Sequence, residues 1–186
     1  MIIEKTPLSG LVILTPRRFQ DDRGFFSEVW NARTLRDAGV EADFVQDNHS
    51  FSAAQGTVRG LHYQAPPHAQ AKLVRCGAGV VWDVAVDVRA GSPTFGQWFG
   101  VELSAKNGKQ LFIPEGFLHG FSTLTENAEL LYKCTDFYAP ESDGSVMYNS
   151  AGLGIDWRLG GQTPELSAKD ASAPDFADWQ TPFGVA

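Results

Sequence analysis

Gly79-Val80-Val81-Trp82-Asp83-Val84-Ala85-Val86-Asp87-Val88 alternates along its whole length. Trp82, Val84, Val86 and Val88 share one face; Asp83, Ala85 and Asp87 share the other. A period of two is that of a β-strand. Shorter strand-like runs recur around it, at 24–30, 44–51, 57–63, 72–76, 96–103, 110–113, 118–124 and 128–136. Turn residues separate them. Asn107-Gly108 is the strongest signal, since a two-residue hairpin turn needs positive φ at both centres. Ala90-Gly91-Ser92-Pro93 and Pro114-Glu115-Gly116 are further breaks. Many short strands at this spacing predict an all-β fold: a sandwich, jelly roll or barrel. One helix is expected after Asn31, through Thr34-Leu35-Arg36-Asp37-Ala38, with Gly39 as its stop. The C-terminal quarter is richer in Gly, Pro, Ser and Ala. It is expected to form turns and a short helix packed on the barrel. No repeat, low-complexity stretch or linker divides the chain, so one domain is expected over residues 1–186.

The 186 residues are 43% hydrophobic, ordinary for a globular protein with a real core. No apolar run approaches the ~20 residues that span a bilayer. Met1-Ile2-Ile3-Glu4-Lys5 lacks the charged-then-apolar pattern of a signal peptide, so a cytoplasmic protein with no membrane partner is expected. A net charge of -7 argues against nucleic-acid binding, which wants a basic stripe. It leaves open an anionic small molecule, for which only local charge matters. Cys76 and Cys134 form no Cys-x-x-Cys pair and read as buried free thiols.

Arg59-Gly60-Leu61-His62-Tyr63-Gln64, followed by Ala71-Lys72-Leu73-Val74-Arg75, sets one histidine among cations. Cations suit an anionic ligand, and a histidine can move a proton on it. Ile113-Pro114-Glu115-Gly116-Phe117-Leu118-His119-Gly120-Phe121 resembles the second motif of the cupins, small jelly-roll barrels. The His-x-His of metal-binding cupins is missing, because Tyr63 and Gln64 follow His62. Two histidines without that pair make a poor transition-metal site. His49 and His68 are the only others that could complete one, and a metal-free barrel is expected. Period two puts Ala128, Leu130, Tyr132 and Cys134 on one face. Tyr132 reads either as core or as a phenol facing the barrel interior, protonated at neutral pH and able to act as an acid. Gln46 and Asn48 also share a face, where two amides need partners or a ligand. Ser167-Ala168-Lys169-Asp170 has the spacing of a capping box. Asp170 either caps that helix or accepts the far ring N–H of His62.

Taken together, these motifs resemble the dTDP-4-dehydrorhamnose 3,5-epimerase family, metal-free cupin-fold enzymes of deoxysugar biosynthesis. The resemblance runs through Asp22-Arg23-Gly24-Phe25-Phe26, Gln46-Asp47-Asn48-His49-Ser50, Arg59-Gly60-Leu61-His62, Lys72-Leu73-Val74-Arg75 and Asp83–Arg89. It continues through Ser92-Pro93-Thr94-Phe95-Gly96, Pro114-Glu115-Gly116-Phe117, His119-Gly120-Phe121, Tyr132-Lys133 and Leu166-Ser167-Ala168-Lys169-Asp170. It implies His62 as general base, Asp170 as its orienting partner and Tyr132 as general acid. Lys72 would stand near the C4 oxygen of the sugar. Arg23, Glu28, Gln46, Asp47, Asn48, Arg59, His119, Asp143 and Lys169 would contact the ligand. No cofactor is implied. A homodimer is, with some contacts supplied by the partner chain. Asp143 stands where relatives often carry glutamate, and Tyr148-Asn149-Ser150 where they carry Trp-Asn-Asp. The neighbouring alternatives are a single-carbon epimerase and a 3,4-ketoisomerase-like cupin. A metal-dependent dioxygenase and a non-catalytic nucleotide-sugar-binding barrel belong to other classes. Strict alternation would put Arg59 and His62 on opposite faces, unless Gly60 opens a bulge.

Overall fold

The computed structural model describes residues 1–184. Its strands are β1 (Ile2–Lys5), β2 (Val12–Thr15), β3 (Arg18–Asp21), β4 (Gly24–Ser27), β5 (Gln46–Ser52), β6 (Val58–Gln64), β7 (Lys72–Ala78), β8 (Val80–Asp87), β9 (Trp98–Ser104), β10 (Gln110–Ile113), β11 (Phe117–Thr123), β12 (Ala128–Cys134) and β13 (Asp143–Ser145). Two short helices, α1 (Ala32–Asp37) and α2 (Ala168–Ala171), complete the elements. One sheet has the order β1-β2-β10-β7-β12-β5, the other β13-β6-β11-β8-β9, and β3-β4 is a separate hairpin. Pairing within them is antiparallel throughout. Neighbours in the sheets are mostly distant in sequence, as in a jelly roll.

The strand that decides the fold is buried on both faces. Val81, Asp83, Ala85 and Asp87 are 0% exposed, and so are Val84, Val86 and Val88. Val81 and Ala85 join the core between the sheets, with Val74, Leu103, Leu111, Phe117, Phe121 and Leu130. Trp82, Val84, Val86 and Val88 point the other way, onto Val146, Leu153, Trp157 and Phe183. The apolar face of β8 is therefore the outer one, and the C-terminal quarter covers it. Asp87, turned inward, accepts from Arg89, Ser92 and Thr94. Burial works against its charge, but those donors pull its pKa down to about 2.

Helix α1 starts where expected: the Asn31 side chain accepts from the N–H groups of Arg33 and Thr34, and Gly39 follows with φ 80°. Asn107-Gly108 is a correction. It closes a turn in which Asn107 Oδ1 accepts from Ser104 and Lys109, but only Gly108 has positive φ. The flanking β9 and β10 lie in different sheets, so the turn joins the sheets and makes no hairpin. Cys76 and Cys134 are buried and free.

The pairing of β6 with β11 slips between His62↔His119 and Arg59↔Phe121. Two residues, Gly60 and Leu61, thus oppose Gly120 alone. This bulge turns Arg59 and His62 to the same side. Gly60 has φ 121°, and a Cβ there would meet Gly120 Cα at 2.6 Å and the His119 carbonyl at 2.8 Å. Gly60→Ala is expected to destabilise the fold by on the order of 2 kcal/mol or more. Gly39→Ala meets nothing within 4 Å and carries only the φ penalty. Denaturant midpoints of the two variants test this contrast.

Candidate active site

The packed core does not fill the barrel. A cavity of about 680 Å³ remains, lined by Arg59 and His62 of β6, Lys72 of β7, His119 and Phe121 of β11 and Leu130 and Tyr132 of β12. Ser50 of β5, Thr57 and the 165–170 segment complete its wall. His62 and His119 are register partners on adjacent strands, and each ring meets one carboxylate.

His62 Nε2 lies 2.5 Å from Asp170 Oδ1. The carboxylate can only accept, so Nε2–H donates, and in the neutral imidazole Nδ1 carries the lone pair. Asp170 is 3% exposed against 33% for the His62 side chain. Burial pushes the Asp170 pKa up, but the His62 contact, the Ser167 hydroxyl and the Gly60 N–H outweigh it and hold the group below its ordinary value. Ser167 serves both readings of this residue. It caps α2 by accepting from the Asp170 N–H at 3.1 Å and donates its hydroxyl proton to Asp170 Oδ2 at 2.8 Å. The cap and the dyad coexist.

The second pair is deeper. His119 Nε2 lies 3.1 and 3.0 Å from the two oxygens of Asp83, at 7% and 0% exposure. Burial pushes the His119 pKa down against the pull of Asp83. Lys72 is partly buried with its Nζ 5.9 Å from the centre of the Tyr132 ring, and burial lowers its pKa as well. Tyr132 is shifted up, again chiefly by burial, so its phenol keeps its proton at neutral pH. The cavity thus holds an oriented imidazole, a protonated phenol and a lysine with little solvation.

His62, Tyr132, Asp170, Arg59, Lys72, His119 and Lys169 come together in this cavity. Asn48 and Gln46 form its continuation along β5, where Gln46 Nε2 donates to Asn48 Oδ1 at 3.0 Å and Asn48 stands opposite Tyr132. Asp143 is at the rim, where Lys169 donates to it and the Tyr138 hydroxyl lies 3.4 Å away. Arg23, Glu28 and Asp47 are elsewhere in the chain. Asp47 faces outward from β5 and pairs with Lys133 at 2.9 Å. Arg23 lies on the β3-β4 hairpin, 89% exposed and paired with Asp21, and Glu28 follows that hairpin, exposed. His49 and His68, the candidate extra ligands, face Glu129 and Asp136 outside the cavity. Among the described residues no three potential ligands converge on a metal position. Tyr148 and Ser150 pack against Trp157 and Phe176, away from the site.

The family model described as dTDP-4-dehydrorhamnose 3,5-epimerase matches residues 5–178. The chain belongs to this family. It is 55% identical over 175 residues to the dTDP-4-dehydrorhamnose 3,5-epimerase of Salmonella typhimurium, covering 94% of each chain. Among solved structures it superposes with TM-score 0.91 on the dTDP-6-deoxy-D-glucose-3,5-epimerase of Legionella pneumophila in complex with dTDP-4-keto-L-rhamnose. That chain is 49% identical, with 95% of this chain and 93% of the other covered. A 3′-monoepimerase from Streptomyces bikiniensis in complex with dTDP-quinovose has the same fold, at TM-score 0.86 and 37% identity, with 93% and 88% covered. The cupin-type jelly roll expected from the motifs is thus the fold of the family.

Sequence reasoning missed Asp83 as a partner of His119, although the alternation of β8 already put it on a face with Ala85. It also missed Ser50, Thr57, Phe121, Glu165 and Ser167 in the cavity wall: Ser50, Phe121 and Ser167 stand in quoted motifs that gave them no place in a site, and Thr57 and Glu165 stand in none. The lowered pKa of Asp170 carries a consequence for stability. A carboxyl whose folded pKa lies below its unfolded value of ~3.9 stabilises the fold above that pH and loses the contribution as pH falls through the folded pKa. The stability advantage of wild type over Asp170→Asn is therefore expected to shrink as pH falls from about 5 to below ~4. Urea denaturation across that range checks it, and an advantage that does not change with pH would mean that the dyad adds no charge-dependent stability.

Proposed function

We propose that this chain converts dTDP-4-dehydro-6-deoxy-D-glucose to dTDP-4-dehydro-L-rhamnose, inverting C5 and C3 in dTDP-L-rhamnose biosynthesis. The observation that carries the reading is the His62–Asp170 contact inside a cavity shared with Tyr132 and Lys72. A ketone at C4 acidifies the C–H bonds at C3 and C5. His62 Nδ1 removes such a proton, and Asp170 stabilises the imidazolium that forms. The electron pair moves onto the C4 oxygen, where the Lys72 ammonium offsets the charge. Tyr132 returns a proton to the carbon from the opposite face, which inverts the centre, and exchange with solvent restores the phenol and takes the abstracted proton from His62. These are proton transfers, with no electron acceptor and no change in redox state. Arg59 and Lys169 suit the diphosphate. Tyr138, 57% exposed beside Asp143, offers a face for the thymine.

The monoepimerase shares the fold, so the fold alone does not choose between one centre and two. The higher identity to 3,5-epimerases favours two. Proton NMR with dTDP-4-keto-6-deoxy-glucose in heavy water tests this directly. Loss of both the C3 and C5 signals, with the L-rhamno product, is expected. Exchange at one carbon alone would make the protein a monoepimerase. Asp170→Asn is expected to slow the exchange strongly while dTDP still binds, and wild-type turnover in that variant would leave Asp170 only its capping role.

A homodimer belongs to the same proposal. Arg23 and Glu28 stand on an exposed hairpin whose Phe19, Phe25 and Phe26 are 52%, 55% and 71% exposed. Apolar surface of this kind suits burial against a second copy, which would bring Arg23 and Glu28 to the neighbour's cavity. Arg23→Ala and His62→Ala, each inactive alone, are then expected to regain activity when unfolded together and refolded. In the mixed dimer one cavity has both its own His62 and a wild-type Arg23 from the partner. No recovery in a mixture that contains hybrid dimers would confine each site to one chain.

A further inference from the structure

Residues 136–139, between β12 and β13, carry Phe137 and Tyr138, 63% and 57% exposed. A loop that offers two large aromatics to water has little apolar burial to hold it in place, with Ala139 its one buried residue. Here side chains hold its backbone. Gln64, 5% exposed at the end of β6, donates through Nε2 to the carbonyls of Phe137, at 2.9 Å, and of His68. Its Oε1 accepts from the Ala139 N–H at 2.9 Å. Gln46 Oε1, from β5 in the opposite sheet, accepts from the Tyr138 N–H at 2.9 Å. Gln70 Nε2 donates to the Asp136 carbonyl at 2.7 Å, and Asp136 Oδ1 accepts from the Phe137 N–H at 2.8 Å. Three glutamines and one aspartate thus take up consecutive backbone groups of the loop. The Tyr138 hydroxyl points to Asp143, which Lys169 of the cavity wall also contacts. The clamped aromatic therefore borders the cavity beside a cation.

We propose that Gln64 is a positioning residue for nucleotide recognition: with Gln46 and Gln70 it presets Tyr138 as a stacking face for the nucleobase at the cavity rim. The proposal rests on the reading of the cavity as a nucleotide-sugar site and adds a residue that touches neither sugar nor base. A flat face held before the ligand arrives loses little freedom on binding. Gln64 is suited to the task because all three of its amide contacts go to backbone atoms, so the loop is held whatever its side chains do.

Calorimetric titration with dTDP and, separately, with inorganic pyrophosphate tests it on the full-length protein. Tyr138→Ala and Gln64→Leu are each expected to weaken dTDP on the order of tenfold and to leave pyrophosphate unchanged. The double variant should bind dTDP no more weakly than Tyr138→Ala alone, since a clamp without its platform has nothing to position. In turnover, Gln64→Leu should raise KM and leave kcat at saturation unchanged. If Gln64→Leu does not fold, Gln64→Glu serves. It keeps the acceptor for Ala139 and loses the donation to Phe137 and His68, with the same pattern expected. Equal weakening of dTDP and pyrophosphate, a fall in kcat without a rise in KM, or full additivity in the double variant would each overturn the proposal. So would wild-type dTDP affinity in Tyr138→Ala. Failure of the wild-type protein to bind dTDP at all would instead bring down the reading of the cavity.

Discussion

Asp170 reaches His62 across 108 residues of chain, and much of the architecture serves that contact. The carboxylate arrives on α2, part of the segment that covers the outer face of the β13-β6-β11-β8-β9 sheet. That segment is bound because Trp82, Val84, Val86 and Val88 present a continuous apolar surface that must be removed from water. At ~25 cal/mol per Å² such a surface gives several kcal/mol of attraction, with no geometric precision of its own. Precision comes from Ser167, which joins the cap of α2 to Asp170 Oδ2, and from the bulge at Gly60, which turns His62 inward. Loosely directed burial places the segment, and a few directed hydrogen bonds place the carboxylate.

The barrel interior pays no attention to the rule that charge stays outside, and its tolerance has an identifiable source. An ion buried without a partner destabilises a protein by several kcal/mol. Asp83 has His119, Asp170 has His62 and Ser167, and Asp87 has Arg89, Ser92 and Thr94. Among the described residues no buried side-chain nitrogen or oxygen is left without a hydrogen bond. The partners of Asp87 are local, whereas Asp83–His119 and Asp170–His62 join separate elements and so also tie two parts of the chain together.

The middle strands were legible because alternation over seven or eight residues is a long signal. β8, β11 and β12 lie within a residue or two of their expected ranges. The four-residue β1, β2 and β3 and the three-residue β13 are too short for a period to show. Which face of β8 points inward was not legible. Its polar face holds two aspartates, and only the partners that fold against it, Arg89 in one case and His119 in the other, make the interior habitable for them. The alternation also left Arg59 and His62 on opposite faces, and the bulge that reunites them rests on a close approach to Gly120 that sequence spacing does not reveal. Asp170 could be read from its spacing as a cap or as the partner of His62; spacing does not choose between the two, and the structure shows both contacts. Gln64 sat in the first chemical motif and still showed nothing of its contacts with the 136–139 loop, because those partners are backbone atoms some seventy residues on, which carry no sequence signature.

On the proposed chemistry, the same burial that makes Lys72 uncomfortable makes it effective. Its ammonium is disfavoured by desolvation; Asp83, a carboxylate whose charge favours it, already contacts His119. A neutral ketone does little to relieve that. An enolate oxygen relieves it at once, because charges of opposite sign attract strongly where the effective dielectric is low. The gain arises as the C–H bond breaks and is nearly absent in the bound ketone, which is the difference that raises kcat and leaves ground-state affinity alone. Tyr132 fits the same logic: burial keeps its proton in place until a carbanion beside it is basic enough to take it. A better-solvated cavity would hold both groups more comfortably and catalyse less.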